Sequence, residues 1–335
     1  MSSPSPNPKP SIDAVARMAE VSTATVSRVL NSSKPVAEAT RQRVQAAVDA
    51  LGFRASTWAR GLSTGRSHML LALVPALNQP CTAEIVRGAT ARARQQGYTL
   101  LTLAIEGATA TADAEQQALA GTLADGVINL LPRALRPAWL GLLHGRPWVN
   151  CGEFNPDDGV PQAGMAQAQA ATDAVQYLIN CGHGRIALVS ADHGLLHAQQ
   201  RRLGFEAALR RAGLGVDAGL QVRAAANTCA SGAAAVAALV WQPAPPTAVL
   251  ALSDTLAVGV IKGLRQAGLR VPADVAVIGF DDEPIAEVFE PALTTVAQPL
   301  QGLGAAAVDL LLARLAGESP ADVVLAHRLV LRDSA

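Results

Sequence analysis

The sequence predicts two folds in one chain. A small all-α helix-turn-helix headpiece comes first, followed by a much larger α/β body of doubly wound parallel sheets. Three observations predict this. Two short helical patterns, broken by about three residues, follow residue 10. From Met69 onward, short apolar runs alternate with amphipathic helical patterns. The charge is also split: residues 1–68 hold nine Lys/Arg and four Asp/Glu, although the 335 residues together sum to zero.

The headpiece comes first in order. Ser11 is placed to cap a helix through Ala19, with Ile12, Val15, Ala16 and Ala19 on one face. After the break EVS, Ser22 caps a second helix through Leu30, with Val26, Val29 and Leu30 facing inward. A third pattern, Ala37 to Leu51, completes a core with Val44, Ala47, Val48 and Leu51. Two short helices joined by a tight turn make a helix-turn-helix. Burying the valines turns Thr23, Ala24 and Arg28 outward at the front of the second helix. A recognition helix reads base edges from that end. Thr and Ala can touch a thymine methyl, and Arg can bind guanine O6 and N7 together. Ser22, Thr25, Ser27 and Asn31 suit phosphate oxygens, which position without specifying sequence. A net +5 on this segment fits an anionic partner.

In the body, the strand candidates are MLLALVP, YTLLTLA, GVINLLP, PWVNC, RIALVS, TAVLAL and VAVIGF. The helix candidates are Ala83–Gln96, Ala114–Ala124, Ala168–Cys181, Ala198–Ala212, Ala230–Trp241, Asp254–Ala267 and Leu300–Ala316. Sheets of this kind bind ligands beyond the carboxyl ends of their strands. Aromatic residues make up only 3% of the chain, so Ala, Val and Leu must fill the cores.

Composition excludes several classes. No apolar run reaches the ~18 residues of a spanning helix. The start, MSSPSPNPKPS, lacks the apolar segment of a secretory signal and reads as a tail too rich in Pro and Ser to pack. Cys81, Cys151, Cys181 and Cys229 are widely spaced, which suits reduced thiols and a cytoplasmic protein. His68, His144, His183, His193, His197 and His327 show no metal-ligand spacing. Gly61–Gly65 fits G-x-S-x-G, but the apolar strand follows it instead of preceding it, so Ser63 is not a hydrolase nucleophile. The G-x-G-x-x-[GA] matches at Gly182, Gly213 and Gly302 do not open a strand-turn-helix. No enzyme activity, cofactor or metal is expected.

SIDAVARMAEVSTATVSRVLN, VAEATRQRVQAAVDALGF and WARGLSTGRS resemble the LacI/GalR family of bacterial transcriptional repressors. The likeness continues through CGHGRIALVS, RRLGFEAALRRAG, PTAVLALSD, GLRVPADVAVIGFDD and LTTVAQP. It implies a body of two periplasmic-binding-protein-like subdomains, an effector in the cleft between them, and about three crossovers, near Gly164, Val288 and Pro320. It also implies an allosteric repressor acting on double-stranded operator DNA as a homodimer. The domains expected are a disordered tail (1–10), a DNA-binding domain (11–55), a hinge helix (56–67) and an effector-binding and dimerisation body (68–335). In the hinge, Leu62 matches the leucine that wedges into the minor groove. Asp281 matches the effector-contacting aspartate and Arg201 the effector arginine, with Arg202 one residue away. Asn227 and Phe154 are further cleft candidates. Cys81 and Thr82 stand where the family often carries an aromatic pair, and Ala166-Gln167 where it often has Asp-Asn. Glu20 stands at a turn position that is often Gly. VSTATVSRVL, NCGEF and DAVQYLINCGHGRI are most similar to cytidine-repressor-type members. That favours a nucleoside effector, with a sugar or sugar acid as the alternative. No leucine-heptad run follows RLVLRDSA, so a dimer is expected rather than a tetramer.

Overall fold

A computed structural model describes residues 11–31, 35–53, 66–77, 79–105, 124–131, 145–153, 159–191 and 194–335. The chain divides into two compact units, 1–68 and 69–335. The tail, the hinge with Leu62 and Ser63, the expected helix Ala114–Ala124 up to residue 123, and Phe154 lie outside the described residues.

The first unit holds α1 (Ile12–Met18), α2 (Thr23–Asn31) and α3 (Glu38–Leu51). Ser11 Oγ accepts the Ala14 amide at 3.2 Å, and Ser22 Oγ accepts the Thr25 amide at 3.2 Å. Each serine thereby satisfies a first-turn N–H that has no partner within its helix. Val15, Ala16, Ala19, Val26, Val44 and Ala47 form the buried core. Glu20 does adopt the left-handed conformation, with φ of 53°, so the turn carries local strain that a glycine would not.

The second unit is two lobes of one design. In lobe one, the sheet β1 (Met69–Val74), β2 (Thr99–Ala104), β3 (Gly126–Asn129), β4 (Trp148–Gly152), β5 (Gln162–Met165) and β11 (Val323–Leu325) is ordered β11-β5-β4-β3-β1-β2 and is wholly parallel. In lobe two, β6 (Ile186–Ser190), β7 (Gln221–Arg223), β8 (Ala248–Ala251), β9 (Ala276–Asp281), β10 (Thr294–Ala297) and β12 (Arg328–Val330) repeat that order as β12-β10-β9-β8-β6-β7. Only β12 runs antiparallel to its neighbour, β10. The helices are α4 (Pro80–Gln95), α5 (Gln167–Asn180), α6 (Leu196–Arg211), α7 (Cys229–Val240), α8 (Asp254–Gln266), α9 (Pro284–Val288) and α10 (Leu300–Leu315). In lobe two, one face of the sheet packs Leu178, Phe205 and Leu209, and the other packs Leu239, Leu256 and Val260. Apolar residues therefore run along the central strands without alternation.

The chain crosses between the lobes three times, after Met165, after Ala297 and after Leu325. The last two passages come later than the expected Val288 and Pro320. Val288 ends a helix that still leads into β10, and Pro320 precedes a strand that still belongs to lobe one.

Three helix pairs fix the walls of the cleft, and each closes through a glycine. A Cβ added at Gly204 of α6 would lie 2.0 Å from the Ala168 carbonyl oxygen of α5. The same holds for Gly304 of α10 against Ile85 of α4 (2.0 Å) and for Gly259 of α8 against Cys229 of α7 (2.2 Å). Gly204→Ala should therefore cost about 1–3 kcal/mol in urea unfolding, the usual penalty for forcing extra volume into a packed contact. An unchanged midpoint would show that α5 and α6 can slide apart freely.

Candidate functional site

Two sites emerge. In the headpiece, Ser22, Thr23, Ala24 and Arg28 are exposed along α2, while Thr25 and Ser27 are half-buried. Ser22 and Thr25 also bond to one another through their hydroxyls at 2.9 Å, which fixes the first turn of the helix. Asn31 ends α2.

The body holds a cleft of about 610 Å³ between the carboxyl ends of its two sheets. Its charged heart comes from four segments. Arg201, 4% exposed, projects from the second turn of α6, with its guanidinium 3.6 Å from the Phe280 ring centroid. Its Nη2 lies 3.6 Å from Asp281 Oδ1. Its Nε donates to Gln167 Oε1 at 2.8 Å. Gln167 Nε2 in turn donates to Gln298 Oε1 at 3.3 Å, and Gln298 Nε2 donates to Asp281 Oδ1 at 2.6 Å. The four side chains close a ring. Gln167 begins α5 just past the first crossover, and Gln298 lies in the second. Asp281 ends β9 with φ of 114°, and Asp282 follows at 57°. Arg332 Nη2 holds the bend through Asp282 Oδ1 at 2.7 Å. Two consecutive non-glycine residues in this region carry strain of the kind found at ligand sites.

Around the ring, Ser253 caps α8 through the Leu256 amide at 3.0 Å and donates to Asn227 Oδ1 at 2.5 Å. Asp254, 0% exposed, accepts from Thr295 Oγ1 at 2.5 Å and from the Glu283 amide at 2.7 Å. Burial, and then the charge of Asp281, push its pKa up to about 8. Glu283 is raised by burial and by Asp281. Burial also raises the Cys81 thiol far above its ordinary value, with Asp281 and Glu283 adding to the effect. Ligand atoms of Cys81, Asp281 and Glu283 lie within 4.8 Å of one another, the one grouping of this kind among the described residues.

Of the residues singled out from sequence, Asp281, Arg201, Asn227, Thr82 and Cys81 all line this cleft. Arg202 does not: it pairs with Glu206 at 2.6 Å on the outer side of α6. Sequence reasoning missed Gln298, Glu283, Glu153 and Ser253, and noted Gln167 only as a departure from the resemblance. The one available signal was position, since Ser253, Glu283 and Gln298 each follow closely on a strand end.

A helix-turn-helix unit, joined in one chain to a two-lobed body with a polar cleft at its crossovers, defines a ligand-responsive DNA-binding regulator. Residues 11–56 match the family "Bacterial regulatory proteins, lacI family", and residues 175–335 match the "Periplasmic binding protein-like domain". The ribose operon repressor of Escherichia coli K12 is 35% identical over 304 residues, covering 90% of this chain and 92% of that protein. The transcriptional repressor CytR of the same organism is 34% identical over 309 residues, covering 91% and 89%. The lac repressor dimer bound to operator and an anti-inducer superposes with a TM-score of 0.87 at 26% identity, covering 97% of this chain and 98% of that one. The chain belongs to the lacI family of bacterial regulatory proteins. It is an effector-controlled DNA-binding transcriptional regulator and not an enzyme. Cytidine-repressor-type members are one of several similarly close groups.

Proposed function

We propose that a homodimer of this chain represses transcription in the cytoplasm by placing two α2 helices in successive major grooves of a near-palindromic operator. The effector in the cleft is a polyhydroxylated ring, a sugar or the ribose of a nucleoside, and its binding releases the DNA. Thr23, Ala24 and Arg28 read bases. Ser22, Thr25, Ser27 and Asn31 hold phosphates, and Leu62 wedges the minor groove. Arg201, Asp281, Asn227, Thr82, Cys81 and Phe154 contact the effector. The observation that carries the effector's role is the closed ring of Arg201, Gln167, Gln298 and Asp281. One of its members, Gln298, lies in the second crossover, and another, Gln167, begins the helix that follows the first. A ligand that takes over Arg201 and Asp281 therefore pulls on both segments. Coupling of this sort is typically ~1–3 kcal/mol, or about 5–150-fold in operator affinity.

The resemblance to a ribose operon repressor and to CytR supports both ligand forms. The described cleft lining is rich in hydrogen-bonding side chains, among them Gln79, Thr82, Asn227, Ser253 and Thr255, which supports binding through hydroxyls. No helix among the described residues is long and apolar enough to cross a membrane.

The test starts with a duplex selected from random sequence by the full-length protein, followed by gel-shift titration with D-ribose, hexoses, cytidine and adenosine. Arg28→Ala should weaken binding to the selected duplex by about 1–3 kcal/mol and relax discrimination at one base pair. An unchanged base preference removes Arg28 as a reader. If no ligand of either class shifts the gel, the effector reading fails, while the DNA-binding reading stands.

A further inference from the structure

Asp281 can meet an effector only if the strained bend that carries it keeps its shape. Its φ of 114° is followed by 57° at Asp282, both in the left-handed region. Such backbone persists only where the surroundings over-determine it. The side chain of Asp281 is bonded within the ring, by Gln298 and Arg201. The backbone just after it is gripped from the other side, by one carboxylate.

That carboxylate is Asp254, the first residue of α8. Its neighbours Ser253 and Thr255 line the cleft, whereas Asp254 turns inward and is fully buried. Its Oδ2 accepts the Glu283 amide at 2.7 Å. Its Oδ1 accepts Thr295 Oγ1 at 2.5 Å, and that same hydroxyl oxygen accepts the Asp282 amide at a long 3.4 Å. Both amides that follow Asp281 are therefore tied to Asp254, one directly and one through Thr295. Room for the carboxylate depends on Gly279, two residues before Asp281 on β9. A Cβ there would stand 2.2 Å from Asp254 Oδ1. Burying a carboxylate costs more than burying an apolar side chain, and charge-assisted bonds offset only part of that. Its use lies in what it holds. We infer that Asp254 is a positioning residue of the effector site: without touching the effector, it clamps the 281–283 bend that aims Asp281 into the cleft. This rests on the proposed effector role of the cleft.

Calorimetry on the full-length protein with D-ribose, D-glucose, cytidine and adenosine supplies the test, and the tightest binder is carried through the variants. Asp254→Ala should weaken its binding about tenfold or more. Asp254→Asn should bring affinity back to within about threefold of wild type. Its Oδ1 can accept the Glu283 amide, while its Nδ2 donates to a turned Thr295 hydroxyl. Leu239→Ala, a core truncation at the opposite end of α7 from Asn227, should also stay within about threefold, which separates positioning from general loss of stability. Without any ligand, the Asp282 and Glu283 amides should exchange hydrogen about tenfold or more faster in Asp254→Ala, read by mass spectrometry on overlapping peptides. If Asp254→Ala does not fold, Thr295→Val decides: it cuts the link to the Asp282 amide and should weaken binding about threefold or more. Retained affinity in the clamp-breaking variant, an equal loss in Asp254→Asn or Leu239→Ala, or unchanged exchange at the bend overturns the inference alone. Faster exchange with no compound bound by the wild type overturns the effector reading of the cleft, and the inference falls with it.

Discussion

Arg201→Met is expected to cost the body about 3–5 kcal/mol, because it leaves Asp281 charged and buried without its cation. The two side chains are 5% and 9% exposed, so water screens little of the pair. Burial lowers the pKa of Arg201, a sign that the guanidinium is expensive to desolvate and is held in place by its partners. Methionine keeps an apolar stem of similar start but ends short of the guanidinium that lies over Phe280, so the loss includes a small cavity as well as the charge. Asp281→Asn is the companion, because it strands the arginine instead. The double variant should be destabilised by less than the sum of the two, with a coupling of about 0.5–3 kcal/mol in urea unfolding. Strict additivity would mean that the 3.6 Å separation carries no interaction and that the ring is held by the glutamines alone. Gln298, which donates to Asp281 at 2.6 Å, sets a floor under the aspartate's stabilisation in every variant.

The same ring shows how far the sequence could be read. The ends of its helices were legible, because serines and strand-helix punctuation mark them. Ser11 and Ser22, singled out as caps from the sequence, do cap the helices they precede. Strands of four or more apolar residues were also plain. β5, β7, β10, β11 and β12 were not: Gln162–Met165, Gln221–Arg223 and Thr294–Ala297 are short and partly polar, and three-residue strands cannot show alternation. The misplaced second and third crossovers follow from these omissions, since an unseen β10 shortens lobe two. In the cleft, Asp281 and Arg201 stood out by resemblance, yet sequence left Arg201 and Arg202 undivided. Helix geometry divides them: Arg201 points into the cleft, while Arg202 and Arg210 flank Glu206 outside. Gln167 and Gln298 are 131 residues apart, and nothing local announces that two amides will meet. The strain at Glu20 was legible through the resemblance, because Glu stands where the family often carries Gly in the turn.

Asp254→Asn should remove a large pH dependence. The wild-type carboxyl has its pKa pushed up to about 8 from an ordinary 3.8, by burial first and by Asp281 second. A carboxyl raised in the folded state stabilises the fold fully below the unfolded value, and that stability is lost as pH climbs through the folded value. The window is therefore roughly pH 4–8, with a ceiling of about 1.4 kcal/mol per pH unit. Asparagine does not titrate, so the stability of the wild type relative to the variant should fall steadily from pH 5 to 8 and flatten above. Urea midpoints at half-unit intervals read the slope. The variant's absolute stability does not matter, although its amide must now face one of the two donors, Thr295 or the Glu283 amide. A flat difference would mean that those donors hold Asp254 ionised despite its burial.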